Sequence, residues 1–168
     1  IELPYSENFD DSEAEHGFTF TGTGSNTWFV GTATNNTIDE AGNPTTGGAL
    51  YISNDNGTTA GYSISASAQV YATSAPITFG EGSSFTLSFD YKAGGEGTTF
   101  DYLKAYLVPI GATVSEQYAI TSNLNRTNGS WVTFNTILPS DYANSTYNLV
   151  FYWKNDGSGG TQPGACVD

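Results

Sequence analysis

Two packed antiparallel sheets, as a sandwich or a closed barrel, are what this 168-residue sequence predicts. Three observations carry that reading. Apolar residues alternate with polar ones over several separate runs, Gly and Asn-rich turns divide those runs, and almost no stretch has a helical period. About eight to ten strands are expected, with helix content below about 10%.

The elements follow in chain order. Ser12 to Glu15 has room for one helical turn, with Ser12 as cap and Glu15 completing a capping box. Trp28 to Thr34 and Ala49 to Ser53 are short strands, and Asp55-Asn56-Gly57 after the second is a hairpin turn. Ser65 to Ala75 mixes Ala with Ser and Thr and reads as a loop leading into a strand. Phe85, Leu87, Phe89 and Tyr91 alternate with Thr86, Ser88 and Asp90, which puts four large side chains on one face. Gly94 to Gly97 is a turn, Tyr102 to Val108 a strand, Asn128-Gly129 a turn and Trp131 to Leu138 a strand. Tyr147, Leu149, Phe151 and Trp153 repeat the alternation. Asp156-Gly157 ends that run, and Gly157 to Gly164 is a long surface loop before a last strand. The six residues Phe85, Leu87, Phe89, Leu149, Phe151 and Trp153 are predicted to lie between the sheets. Residues 1–168 read as one domain, because no linker or repeat divides them.

Charge sets the outer limits on function. Four Lys and Arg oppose 17 Asp and Glu, for a net charge of −13. Displacing counterions from phosphates needs clustered cations, so nucleic acid is excluded as a partner, as are anionic membrane surfaces. No run approaches the ~20 apolar residues of a spanning helix, so membrane insertion is not expected. The chain has no Met and opens at Ile1, as expected of a mature or excised segment whose signal peptide is gone. Cys166 is the single cysteine, which rules out an internal disulfide and a four-thiolate zinc site. Charged residues are 12% of the chain, with hydration left to Thr, Ser, Asn and Gly. That balance fits a secreted or cell-surface protein.

Four segments taken together resemble the Bacteroidetes cleaved-adhesin and choice-of-anchor J domains, relatives of the MAM domain. "LPYSENFDD" at Leu3 to Asp11 is similar to their opening strand, and "ALYISNDNG" at Ala49 to Gly57 to the strand and turn that follow. "LSFDYKAGGEG" with "DYLKAYLVP" resembles their central hairpin. "YNLVFYWKNDGSGGTQPGACVD" at Tyr147 to Asp168 resembles their closing strands. The resemblance implies a jelly-roll β-sandwich in a secreted or surface-attached multidomain protein. It also implies that the final strand, which starts near Asp168, is cut short.

Candidate chemistry is sparse. His16, the one histidine, sits in "EAEHG", reads as a solvated loop, and has no Gly-x-Ser-x-Gly nucleophile to serve. Asp90 and Asp101 are strand carboxylates available to a glycosidase pair, but nothing in the sequence brings a pair together. Cys166 reads as a small buried apolar residue. The resemblance implies a structural Ca2+ where first and last strands meet. Its expected ligands are Glu7, Asp10, Asn54, Asp55 and Asp168, with a plain turn as the competing reading of Asn54 to Gly57. Trp28, Trp131 and Trp153 lie in alternating strands and are expected in the core. Tyr71, Tyr118 and Tyr142 lie in less regular stretches and are the candidate ligand-binding residues. The expected function is a non-catalytic adhesion or carbohydrate-binding module for an extracellular glycan or protein, within a larger multidomain protein. A polysaccharide hydrolase domain with two carboxylates and a structural spacer are the alternatives.

Overall fold

The computed structural model describes residues 1–10, 16–34 and 47–168. Ten strands carry the fold: β1 (Phe18–Thr23), β2 (Thr27–Gly31), β3 (Ala49–Ser53), β4 (Ala68–Ser74), β5 (Ile77–Phe79), β6 (Ser84–Lys92), β7 (Tyr102–Pro109), β8 (Val132–Pro139), β9 (Ser145–Asn155) and β10 (Cys166–Val167). Two short 3-10 turns, Glu116–Tyr118 and Ser140–Tyr142, complete the set among the described residues. All pairings between strands are antiparallel. The predicted all-β jelly-roll sandwich is the observed architecture.

One sheet is ordered β2-β3-β10-β6-β8. The other centres on β9, the longest strand. β4 pairs with its C-terminal half (Ala68↔Asn155 to Thr73↔Val150), β5 with its start (Ile77↔Tyr147), and β7 lies along its other flank. The pairing sums differ by one between β4 and β5, so one bulged strand is interrupted at Ser74 to Pro76. Ser74 holds the break: its Oγ accepts the Leu149 N–H at 2.9 Å and its carbonyl accepts Asn148 Nδ2 at 2.7 Å.

Alternation put the expected faces inward. Phe89, Phe151 and Trp153 are buried with Trp28, Leu50, Ile52, Val70 and Leu103 in the main core, and Leu87 and Leu149 pack against it. Phe85 packs in a second cluster around Phe79, Leu107 and Leu138. β7 and β9 depart from simple alternation, because both of their faces are covered. The outward residues Tyr106, Val108, Val150 and Tyr152 form a third buried cluster.

Several expectations need correction. Leu3 to Asp10 is not a strand: only Glu2 makes a bridge, to Thr78. The first strand among the described residues is Phe18–Thr23, paired along β4. His16 is not solvated but 3% exposed. Its Nδ1 accepts the Phe18 N–H at 2.9 Å, and its ring lies 5.5 Å from that of Phe20 in a stacked arrangement. Trp28 and Trp153 are core residues, but Trp131 is half-buried ahead of β8, with the Lys92 ammonium 4.8 Å from its ring. The turn expected at Ser12 to Glu15, and Asp11, lie outside the described residues.

Candidate ligand cleft and acidic cluster

β7, β9 and the Glu116–Tyr118 turn build a tyrosine-rich outer surface. Tyr71 lies in mid-β4 rather than in an irregular stretch, and its ring stacks on Tyr152 at 4.7 Å. Tyr102 meets Tyr152 edge-on at 6.1 Å. The segment carrying Val114, Tyr118 and Ala119 folds over Tyr106, which leaves Tyr106 only 4% exposed. One ion pair pins that segment: Lys104 Nζ lies 2.6 Å from Glu116 Oε2. Burial pushes the Tyr106 and Tyr152 phenols well above their ordinary range, so both stay neutral.

Where this surface turns toward β8 it opens into a cleft of about 460 Å³. Two of the three tyrosines singled out in the sequence, Tyr118 and Tyr142, line it together with Tyr147, Asp141, Thr136 and Pro139. The Tyr142 and Tyr147 rings sit 5.1 Å apart. Burial first, then the neighbouring Tyr147 and Asp141, raise the Tyr142 phenol, so it remains a hydroxyl that can donate. Aromatic faces beside a carboxylate and hydroxyls are chemistry that suits a sugar ring, with its apolar C–H face and polar rim.

The second feature joins two loops. Glu96, Asp101 and Asp156 bring carboxylate oxygens within 4.8 Å of one another, the one such group of three among the described residues. Asp101, just before β7, is 1% exposed. Its Oδ2 accepts the Tyr62 hydroxyl at 2.7 Å and its Oδ1 accepts the Asp156 N–H at 3.0 Å. Burial, with the neighbouring Asp156 carboxylate, raises the Asp101 carboxyl above its ordinary value against the lowering pull of those two hydrogen bonds. Gly160 makes the approach possible, since its φ is +102° and a side chain there would collide with Tyr62 Oη and Asp101 Oδ2.

The five expected calcium ligands are scattered by comparison. Asp55 caps its own turn, accepting from Ser53 Oγ (2.7 Å), Thr59 N (2.9 Å) and Thr59 Oγ1 (2.7 Å), which pulls its carboxyl below the usual range. Asn54 is exposed in that turn. Asp10 holds Gly48 N–H at 2.7 Å, and Glu7 holds Phe9 N–H at 2.7 Å. Glu7 and Asp168 do line one open cleft of about 200 Å³, whose apolar wall includes Leu87, Phe89, Leu107 and Leu149. Asp90 bonds Thr133 from β6, in the sheet opposite the one Asp101 leads into. The Cys166 thiol is buried and pushed up to about 12 by burial, so it carries no thiolate at neutral pH.

No protein-family profile matches the sequence, and no curated protein matches it. Solved structures share the fold. The K1 cleaved adhesin domain of Lys-gingipain from Porphyromonas gingivalis aligns over 96% of this chain and 92% of its own, at TM-score 0.55 and 11% identity. The enzymatically active domain of bacteriophage CBA120 tailspike protein 4 aligns over 95% of this chain, at TM-score 0.52 and 15% identity, but this chain spans only 19% of it. A CBM22 xylan-binding domain from Paenibacillus barcinonensis aligns over 96% of this chain at TM-score 0.47 and 11% identity.

Proposed function

We propose that the chain is one non-catalytic binding module, secreted or displayed at a cell surface within a larger protein, and that it holds a glycan in the Tyr118–Tyr142 cleft. The observation that carries this is the meeting of Tyr118, Tyr142 and Tyr147 with Asp141 and Thr136 around one open cavity. The fold shared with an adhesin domain over nearly its whole length supports the reading, as does the resemblance to the cleaved-adhesin and choice-of-anchor J family. A glycan array run beside a reducing-sugar assay tests it. Binding without turnover is expected, lost in Tyr118→Ala and Tyr142→Ala while both variants keep their melting temperature to within a few degrees. Binding that survives both substitutions moves the site elsewhere. Turnover would favour the hydrolase reading, against which Asp101 is committed to Tyr62 and Asp156 inside the fold.

A structural calcium belongs to the same proposal, at Glu96, Asp101 and Asp156. Three clustered carboxylates supply hard oxygen donors of the kind Ca2+ takes, and the chain's −13 charge makes their mutual repulsion worse without a cation. A bound cation would tie the β6–β7 loop to the loop after β9. Stabilisation of ~2.7 kcal/mol is expected at a hundredfold excess over Kd. At roughly 2–4 °C per kcal/mol, thermal unfolding in millimolar calcium against EGTA reads it directly. Asp101→Asn should abolish the shift and Asp10→Ala should leave it. The reverse pattern would return the ion to the N-terminal segment, and no shift at all would remove it.

A further inference from the structure

The Tyr118–Tyr142 cleft carries charge of one sign. The chain holds four cations, Lys92, Lys104, Arg126 and Lys154, and none of them lines the cleft. Three are engaged elsewhere. Lys92 lies over Trp131, Lys104 is paired with Glu116, and Lys154 reaches the Thr99 carbonyl at 3.4 Å. The charge that does line the cleft is Asp141, exposed in the middle of the Ser140–Tyr142 turn. The aromatic walls beside it are held from behind. The Tyr142 and Tyr147 rings meet at 51° with centroids 5.1 Å apart, and both rest on the buried Phe79, at 5.9 and 5.6 Å. Tyr118 enters from a separate connection, the Glu116–Tyr118 turn. A cation within about 6 Å of such ring faces is attracted to their negative π clouds. Asp141 adds a full negative charge to that attraction, and no Lys or Arg of the chain opposes it there.

Resting on the glycan reading of this cleft, we infer that it selects one class of glycan: an amino sugar whose nitrogen is a free ammonium rather than an amide. Such a sugar presents three kinds of surface, and the cleft has a match for each. Its apolar C–H face suits the tyrosine rings, and its hydroxyls suit the Thr136 and tyrosine hydroxyls. Its ammonium suits Asp141 together with the ring faces. N-acetylation cancels the charge and a plain hydroxyl never had it, so neither form gains the third match. Uronic and sialic acids fare worse, because their carboxylates meet Asp141 with no cation in the wall, on a chain already at −13. A lysine side chain brings an ammonium but no ring of hydroxyls. The volume of about 460 Å³ falls within the ~300–1,000 Å³ of small-ligand pockets, so it has space for the ring as well as the charge.

The probes are three disaccharides with one backbone: β-linked diglucosamine, its di-N-acetyl form and cellobiose. They differ only in the group on the carbon beside the anomeric one. Each is titrated calorimetrically into the full chain at mildly acidic pH, where the sugar amine holds its proton. Diglucosamine should bind at least about tenfold tighter than either neutral form. Asp141→Asn should bring that preference below about threefold and leave cellobiose affinity unchanged. Asp90→Asn, which removes the same charge from β6 in the other sheet, should keep the preference whole. Equal affinity for the three disaccharides overturns the inference and leaves the glycan reading standing. Binding of none of them also overturns it, and a glycan array that is blank as well brings down the glycan reading too. A preference lost equally in Asp90→Asn and Asp141→Asn sinks it, since net charge would then be the cause. So does Nα-acetyl-lysine amide bound as tightly as diglucosamine, which would point to a protein ligand instead.

Discussion

The two ends of β9 are finished in opposite ways. At its C-terminal end, Trp153 and Asn155 are sealed by a polar network that crosses the sandwich. Asn155 Oδ1 accepts Trp153 Nε1 at 3.1 Å and Asn26 Nδ2 at 2.9 Å, and Asn155 Nδ2 donates to the Ala66 carbonyl at 2.7 Å. The Tyr62 ring stands edge-on to Trp153 at 5.2 Å, and its hydroxyl donates a hydrogen bond to Asp101. Toward the N-terminal end, Leu149 looks into the open cleft that Glu7, Leu87 and Asp168 line. The strands are the same, so the difference comes from the loops. Polar loops can close a sandwich only if every buried group finds a partner, and at the sealed end the side chains of Asn26 and Asn155 do. At the other end the inner faces of β6 and β9 meet in an apolar cleft with no such side-chain network across it among the described residues.

That contrast predicts unequal sensitivity to truncation. Trp153→Ala should have the largest effect, about 3–5 kcal/mol, because the ring is wholly buried and its removal also strips a donor from Asn155. Asn155→Ala follows at roughly 2–4 kcal/mol, since it leaves Trp153 Nε1 without its acceptor and removes the donor to the Ala66 and Asp156 carbonyls. Leu87→Ala, in the wall of the open cleft, should cost only about 1–2 kcal/mol, since its side chain is already half-exposed. Denaturant melts of the three variants rank them. A Leu87→Ala loss as large as that of Trp153→Ala would mean that the two ends are equally sealed.

Much of this was legible in the sequence, and what was not shares one cause. β6 and β9 announce themselves because period-two alternation is local: Phe85-Leu87-Phe89 and Leu149-Phe151-Trp153 name their own inner face. β1 carries the same signal in Phe18, Thr19, Phe20 and Thr21, but Phe20 is exposed and the run is flanked by Gly, so it passes for loop. His16 reads as a loop residue from its acidic and glycine neighbours. Its burial depends on Phe9 and Phe20, one from a segment that pairs with nothing nearby in sequence. The acidic cluster joins Glu96, Asp101 and Asp156 from two loops, and the ligand cleft joins Tyr118 to Tyr142 from different connections. Such meetings are set by strand order, which a single sequence does not display. Tyr118 and Tyr142 were found by residue type alone. Only the fold shows that they share a cavity.

The smallest expected effect concerns the proton on Asp101, and it separates the two ways that the sealed end can tolerate three acids. Burial raises this carboxyl above its unfolded value of ~3.9, so ionisation is harder in the folded chain than in the unfolded one. A group of that kind adds stability below its unfolded value and withdraws it as pH climbs through its higher folded value. Wild type should therefore lose ground to Asp101→Asn as pH rises from 4 toward 7 in EGTA, whatever the sixteen other acids contribute to both. Calcium should invert the trend. An ion held by Glu96, Asp101 and Asp156 requires them ionised, so wild type would gain on the variant over the same pH range. Melting temperatures of the two proteins across that range, with and without calcium, give four curves. A constant gap between wild type and variant in EGTA would show that Asp101 titrates alike in both states. A gap that calcium leaves unchanged would show that the cluster is closed by its hydrogen bonds from Tyr62 and Asp156 alone.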